Sequence, residues 1–178
     1  MLSRGNEFKN VELINKDMEF ALKNEKEKGN IFSVILLKES LHFNQKSYLE
    51  KLEDFIKSNL NGKMIIVGRL KPKEMEEELP FPLKAIEEWN NTQISVKDAH
   101  QFFKSKNFEC EYSKIRYLTK YTYDEFKTFI TGKVYSVFQN ISDEELEYEF
   151  NRLIKGKDEI SYYDEVYILS VSNNLNLN

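Results

Sequence analysis

Cysteine is almost missing from this chain. Cys110 is the only one in 178 residues, so no disulfide forms within the chain, and the usage fits a reducing compartment such as the cytoplasm. Glu109 and Glu111 flank it, which disfavours a thiolate and makes it a structural or tolerated thiol rather than a nucleophile. There are only 2 histidines, and no His/Cys set has the spacing of a metal site. No Gly-x-Ser-x-Gly or Ser-His-Asp arrangement is present. No apolar run approaches the roughly 18 residues of a membrane span. The opening Met1-Leu-Ser-Arg-Gly-Asn6 has no signal-peptide core. Basic charge is not in excess either. With 26 Lys and Arg against 30 Asp and Glu, the net charge is -4, which provides no general attraction to nucleic acid or to an anionic membrane. Tyr112, Tyr117, Tyr121 and Tyr123 lack the basic groove that base stacking requires; core and sheet packing accounts for them. Proline (3) and glycine (6) are scarce.

Hydrophobic residues make up 40% of the chain and aromatics 13%, enough for one domain with a real core. Val11–Asn15 reads as a short strand ending at Asp17. Glu19–Lys28 has helical spacing and breaks at Gly29-Asn30. Ile31–Leu37 is a nearly unbroken apolar run, as in a central parallel strand covered on both faces. A helix is expected over Lys46–Asn59, with Tyr48, Leu49, Leu52, Phe55 and Ile56 on one face. Asn61-Gly62 closes it, and Lys63–Gly68 reads as the next buried strand. Strand, helix and strand in this span form a parallel βαβ unit.

Beyond it the charged stretch Lys71–Glu78 precedes Leu79-Pro-Phe-Pro82, which cannot be helix or central strand. Leu83–Trp89 reads as a short helix. Ser95 with Asp98, and Ser142 with Glu145, read as N-terminal capping pairs. They open helices over Val96–Lys106 and as far as Ile154. Phe108–Leu118 reads as a strand, Thr122–Thr131 as a helix, and Tyr162–Val171 as a closing antiparallel strand. The tail Ser172–Asn178 is polar. No internal repeat is visible.

The apolar strand of Ile31–Leu37 runs into a polar turn carrying Lys38, Glu39, Ser40 and His42. Ligands in open α/β sheets sit outside the carboxyl ends of strands, so a site is expected here. His42 suits orientation of an acceptor or removal of its proton; the plain alternative is a half-buried histidine satisfied by backbone. Glu39 suits ligand binding or a first-turn charge on the following helix. Phe81, Trp89 and Tyr121 suit an apolar pocket, and packing of a lid helix explains them equally. His100, among Lys and Gln, reads as a surface residue.

These segments, in this order, resemble the later two-thirds of a class I S-adenosylmethionine-dependent methyltransferase. Met1-Leu-Ser-Arg4 resembles the helix after that family's second strand, and Asn15-Lys-Asp-Met-Glu-Phe20 the end of its third. Leu37–Phe43 resembles the loop after its fourth strand. Asn61–Val67 resembles the glycine and strand that follow. Leu79–Trp89 and Ser136–Leu146 resemble the cap and C-terminal helix of members acting on small molecules. The resemblance implies a three-layer, Rossmann-like α/β sheet. It is mostly parallel, with an antiparallel C-terminal strand and the N-terminal strands missing. One domain spans 1–178, and a small helical cap is formed by 71–94 and 119–156. It implies S-adenosylmethionine as cofactor and a small-molecule acceptor. Asp17 and Met18 would hold adenine, and Lys38, Glu39 and Ser40 would border the methionine end. His42 would face the acceptor as the catalytic residue, with Phe81, Trp89 and Tyr121 shaping the substrate pocket.

The family's glycine-rich cofactor turn has no counterpart upstream of Val11, where Gly5 stands alone. Three explanations are open: truncation, a partner chain that supplies the missing strands, or a fold that no longer binds cofactor. The second reading is therefore a non-catalytic subunit, a pseudoenzyme that pairs through its incomplete sheet.

Overall fold

The computed structural model describes residues 18–41 and 46–173. The Val11–Asn15 strand, Asp17 and His42 lie outside the described residues. Elements run in the order α1 (Met18–Lys28), β1 (Phe32–Lys38), α2 (Lys46–Asn59), β2 (Leu60–Gly68), α3 (Leu83–Thr92), α4 (Val96–Ser105), β3 (Glu109–Thr122), α5 (Tyr123–Thr131), α6 (Asp143–Ile154) and β4 (Glu159–Ser172). Short 3₁₀ turns lie at Pro72–Glu74 and Ser136–Phe138.

The described strands form one sheet in the order β1-β2-β4-β3. β1 pairs parallel to β2, and β4 lies antiparallel between β2 and β3. Three of the four strands therefore share a direction and the C-terminal one opposes them, as expected. The parallel β1–α2–β2 unit is present. β2, however, begins at Leu60, directly after the helix, and Asn61-Gly62 belongs to the strand. The register slips between Phe32 and Val34, so two β2 residues oppose Ser33 in a bulge. Only glycine fits there: a Cβ at Gly62 would lie 2.0 Å from the Ser33 carbonyl oxygen.

Side chains alternate between the faces of a strand. Ile35 and Leu37, Met64 and Ile66, and Leu169 and Val171 are register partners on one face. The apolar side of α2 (Tyr48, Leu49, Leu52, Ile56) and that of α4 (Val96, Ala99, Phe103) bury this face as a first core. α4 starts where it does because Ser95 Oγ accepts from the Asp98 amide at 3.1 Å while Asp98 Oδ2 accepts from the Ser95 amide at 2.9 Å. This is the reciprocal box read from the sequence. Thr122 with Glu125 caps α5 in the same way.

A second core joins α3, α5 and α6 to Ile160 and Tyr162. These two residues have the strand parity of Ile168, so the second helical group covers the opposite sheet face at the far end of the β3–β4 hairpin. Among the described residues no helix covers the rest of that face. Val34 (56% exposed), Leu36 (61%) and Ile115 (52%) stand on it.

Candidate functional site

The carboxyl ends of β1 and β2 meet a cavity of about 320 Å³. Glu39 and Leu41 line it from the turn after β1, and Gly68 and Arg69 from the end of β2. Trp89 of α3 and Gln93 just after it, Ile94 and the first α4 residue Val96, and Val134–Val137 with Gln139 close it. The wall is mostly apolar, as expected of a small-molecule site.

One ionic cluster organises its polar side. Arg69 grips Asp164 of β4 with two hydrogen bonds, Nε to Oδ1 at 3.1 Å and Nη2 to Oδ2 at 2.9 Å. Its Nη1 donates to Glu39 Oε1 at 2.5 Å. Tyr117 donates its hydroxyl to Asp164 Oδ2 at 3.0 Å, and the guanidinium lies 5.6 Å from the centre of the Tyr135 ring. The Arg69 and Asp164 side chains are 14% and 8% exposed. Burial works against the Arg69 charge, but Asp164, Tyr135 and Glu39 together outweigh it and raise its pKa. Burial pushes Tyr135 up to about 12, although Arg69 pulls the other way, so its hydroxyl is neutral at physiological pH.

Glu39 adopts a left-handed backbone, φ 49°. For a residue with a Cβ this costs on the order of 1–3 kcal/mol. The conformation is held by the Glu39 amide, which donates to the Val67 carbonyl at 2.8 Å, and by the side chain on Arg69. Bent this way, the chain leaves β1 with the Glu39 carboxylate on the cavity wall.

Of the residues expected at a site, Glu39 and Trp89 come together on this cavity. Ser40 sits half-buried between Glu39 and the cavity residue Leu41, and Lys38 is exposed. Met18 opens α1, where its Sδ accepts from the Tyr48 hydroxyl at 2.7 Å, and it packs against the first core. Phe81 lies behind Trp89 rather than on the wall, packed among Phe129, Tyr135, Phe138 and Tyr162. Tyr121 stacks on Phe129 and Tyr162 within the second core. His100, read as a surface residue, is half-buried and stacks on Tyr112 with ring centres 5.3 Å apart. Cys110 is half-buried and its pKa is raised, chiefly by burial, which agrees with an inert thiol.

Arg69, Tyr135 and Asp164 were not legible as site residues. A signal existed for two of them. Arg69 follows the apolar strand end Ile-Ile-Val-Gly68, and Asp164 is an acid inside an otherwise apolar and aromatic strand. Among the described residues no cluster has the makings of a metal site, and no helix is long and apolar enough to cross a membrane.

No protein-family model and no curated protein matches the chain. Solved structures of similar fold share little sequence with it. A protein of Bacillus halodurans C-125 assigned as a methyltransferase is 11% identical over 80% of this chain and 64% of its own, with a TM-score of 0.48. The MccD protein is 16% identical over 87% of this chain and 75% of its own, with a TM-score of 0.44. The plantazolicin methyltransferase BpumL, solved in complex with SAH, is 14% identical over 95% of this chain and 61% of its own, with a TM-score of 0.39. This chain thus spans 64% of the length of the first of these proteins. The open four-stranded α/β architecture is the one that the sequence's resemblance to class I methyltransferases implies.

Proposed function

We propose that this chain is an S-adenosylmethionine-dependent methyltransferase-like protein whose strand-end cavity receives a small-molecule acceptor. The observation that carries this reading is the cavity's position beyond the carboxyl ends of two parallel strands, where open α/β sheets bind ligands. Its volume of about 320 Å³ lies at the lower end for small-molecule sites and suits a single compact molecule. The sequence resemblance adds the kind of chemistry.

The described residues fit the cofactor in part. Lys38, Glu39 and Ser40 form the turn assigned to its methionine end, and Gly68 brings the β2 backbone to the cavity edge. On this reading Met18 and Asp17 serve adenine and His42 serves the acceptor as an acid–base group; Asp17 and His42 lie outside the described residues. When bound, the cofactor supplies the electrophilic methyl group. This chain binds, orients and shields the acceptor. Leu41, Trp89, Ile94 and Val137 displace water from it, while Glu39, fixed by Arg69, sets its orientation. The test is calorimetric titration of the full chain with S-adenosylhomocysteine. A micromolar dissociation constant is expected, and absence of binding refutes the cofactor assignment.

The open sheet favours a second reading, a non-catalytic subunit joined to a partner chain. The β3 edge is guarded by Lys114, Arg116 and Lys120, as exposed edges commonly are. The β1 edge instead offers Ser33, Val34 and Leu36 beside an apolar face that no described element covers. This reading expects no binding of S-adenosylhomocysteine and a stable complex that Leu36→Lys disrupts.

A further inference from the structure

Among the described residues the charges at the cavity do not cancel. Arg69 carries one positive charge and faces two carboxylates, Asp164 and Glu39. Asp164 takes the two-pronged grip from behind the wall, and this pair is neutral by itself. Glu39 is the surplus anion, and it is the member of the trio that, with Arg69, lines the cavity. Its Oε1 accepts from Arg69, while Oε2 takes no hydrogen bond from a described residue. Among the described residues Glu39 forms an ion pair with no other cation. Lys71 is paired with Asp98 at 2.6 Å and Lys133 with Asp143 at 3.0 Å. Among the described residues the charged groups at the cavity therefore sum to about one negative unit beside apolar and aromatic walls, where a charge is screened less than in water.

We propose that this cavity binds a small organic ammonium ion, with its cationic nitrogen on Glu39 Oε2 and its apolar body against Trp89, Leu41 and Val137. A single available carboxylate among hydrophobic side chains is too poor in oxygen ligands for a divalent metal, and no metal-type cluster exists among the described residues. An anionic ligand fares worse. It would reach the remaining N–H groups of Arg69 only by sitting beside two carboxylates. Gln93, Ser136, Gln139 and the Tyr135 hydroxyl are the remaining polar groups of the wall residues and serve neutral polar groups of the ligand. In naming this ligand as the methyl acceptor the inference rests on the function proposed above; the binding itself does not need the cofactor.

Trp89 supplies the readout, because it lines the cavity and is the only tryptophan in the chain. Its fluorescence is followed while the full chain is titrated with phenethylamine, 2-phenylethanol and phenylacetate, which share one body and differ in charge. Phenethylamine should bind at least about tenfold tighter than 2-phenylethanol, the scale of one charge-assisted hydrogen bond, and phenylacetate should bind weakest. Glu39→Gln should bring phenethylamine down to the affinity of 2-phenylethanol, erasing the preference for the amine. Equal binding of all three compounds, tighter binding of phenylacetate, or no saturable response to any of them overturns the proposal. The wild-type series decides it even if the variant folds poorly. Loss of S-adenosylhomocysteine binding alongside retained amine selectivity would refute the cofactor reading and leave this site standing.

Discussion

Replacing Arg69 with methionine tests whether the Arg69–Asp164–Glu39 cluster holds β2 and β4 together at the cavity. Methionine fills much of the arginine stem's volume, so the main change is loss of the guanidinium. Asp164, 5% exposed, keeps a single described donor, the Tyr117 hydroxyl at 3.0 Å. Stranding one partner of a buried ion pair costs about 3–5 kcal/mol. Glu39 adds less than about 1 kcal/mol, because its side chain is 35% exposed and water takes over much of the lost partner's role. A loss of about 3 kcal/mol is therefore expected at pH 7, read as a urea midpoint about 1.5 M lower for a slope near 2 kcal/mol/M. Adding Asp164→Asn to the variant removes the unpaired charge and should recover about 1–3 kcal/mol, so the double-mutant cycle is strongly coupled. A deficit below about 0.5 kcal/mol, or no recovery on adding Asp164→Asn, would refute the reasoning, since a large deficit and its rescue both follow from an uncompensated buried charge.

Ser95→Ala removes a buried cap from α4 and should cost about 1 kcal/mol, seen as a fall of about 2–4 °C in melting temperature. Gly62→Ala drives a methyl group into the Ser33 carbonyl oxygen, 2.0 Å away; it should cost about 2 kcal/mol or more and speed hydrogen exchange in β1 and β2. Glu53 is held below the ordinary carboxylate range first by Lys57 at 2.6 Å, with burial opposing and Lys106 helping at 3.3 Å. A lowered carboxylate contributes stability that is present above its unfolded value, about 4.3, and is lost as pH falls through the folded one. Thermal melts at pH 7 and pH 3 should therefore show a smaller acid-induced loss in Glu53→Gln than in wild type.

The elements were largely legible because their causes are local. Spacing on α2, the Ser95–Asp98 box and the apolar run of β1 each lie within one turn or one strand of chain, and the structure forms them close to the expected bounds. Asn61-Gly62 was misplaced because a turn-forming pair and a strand bulge look the same in sequence; contact with Ser33 on the neighbouring strand distinguishes them. Glu39 and Trp89 were legible as candidate site residues from place in the chain, after a strand and on a short helix, and both line the cavity. Phe81 and Tyr121 share Trp89's chemistry, and packing put them behind the wall. The Arg69–Asp164 pair joins positions 95 residues apart, and strand order alone makes them neighbours. Sequence by itself determined which stretches become helix and strand, because propensity, caps and apolar period act over a few residues. Tertiary structure decided which charges meet, because pairing β4 between β2 and β3 carries Asp164 to the end of β2 and leaves Glu39 as the unbalanced charge on the cavity.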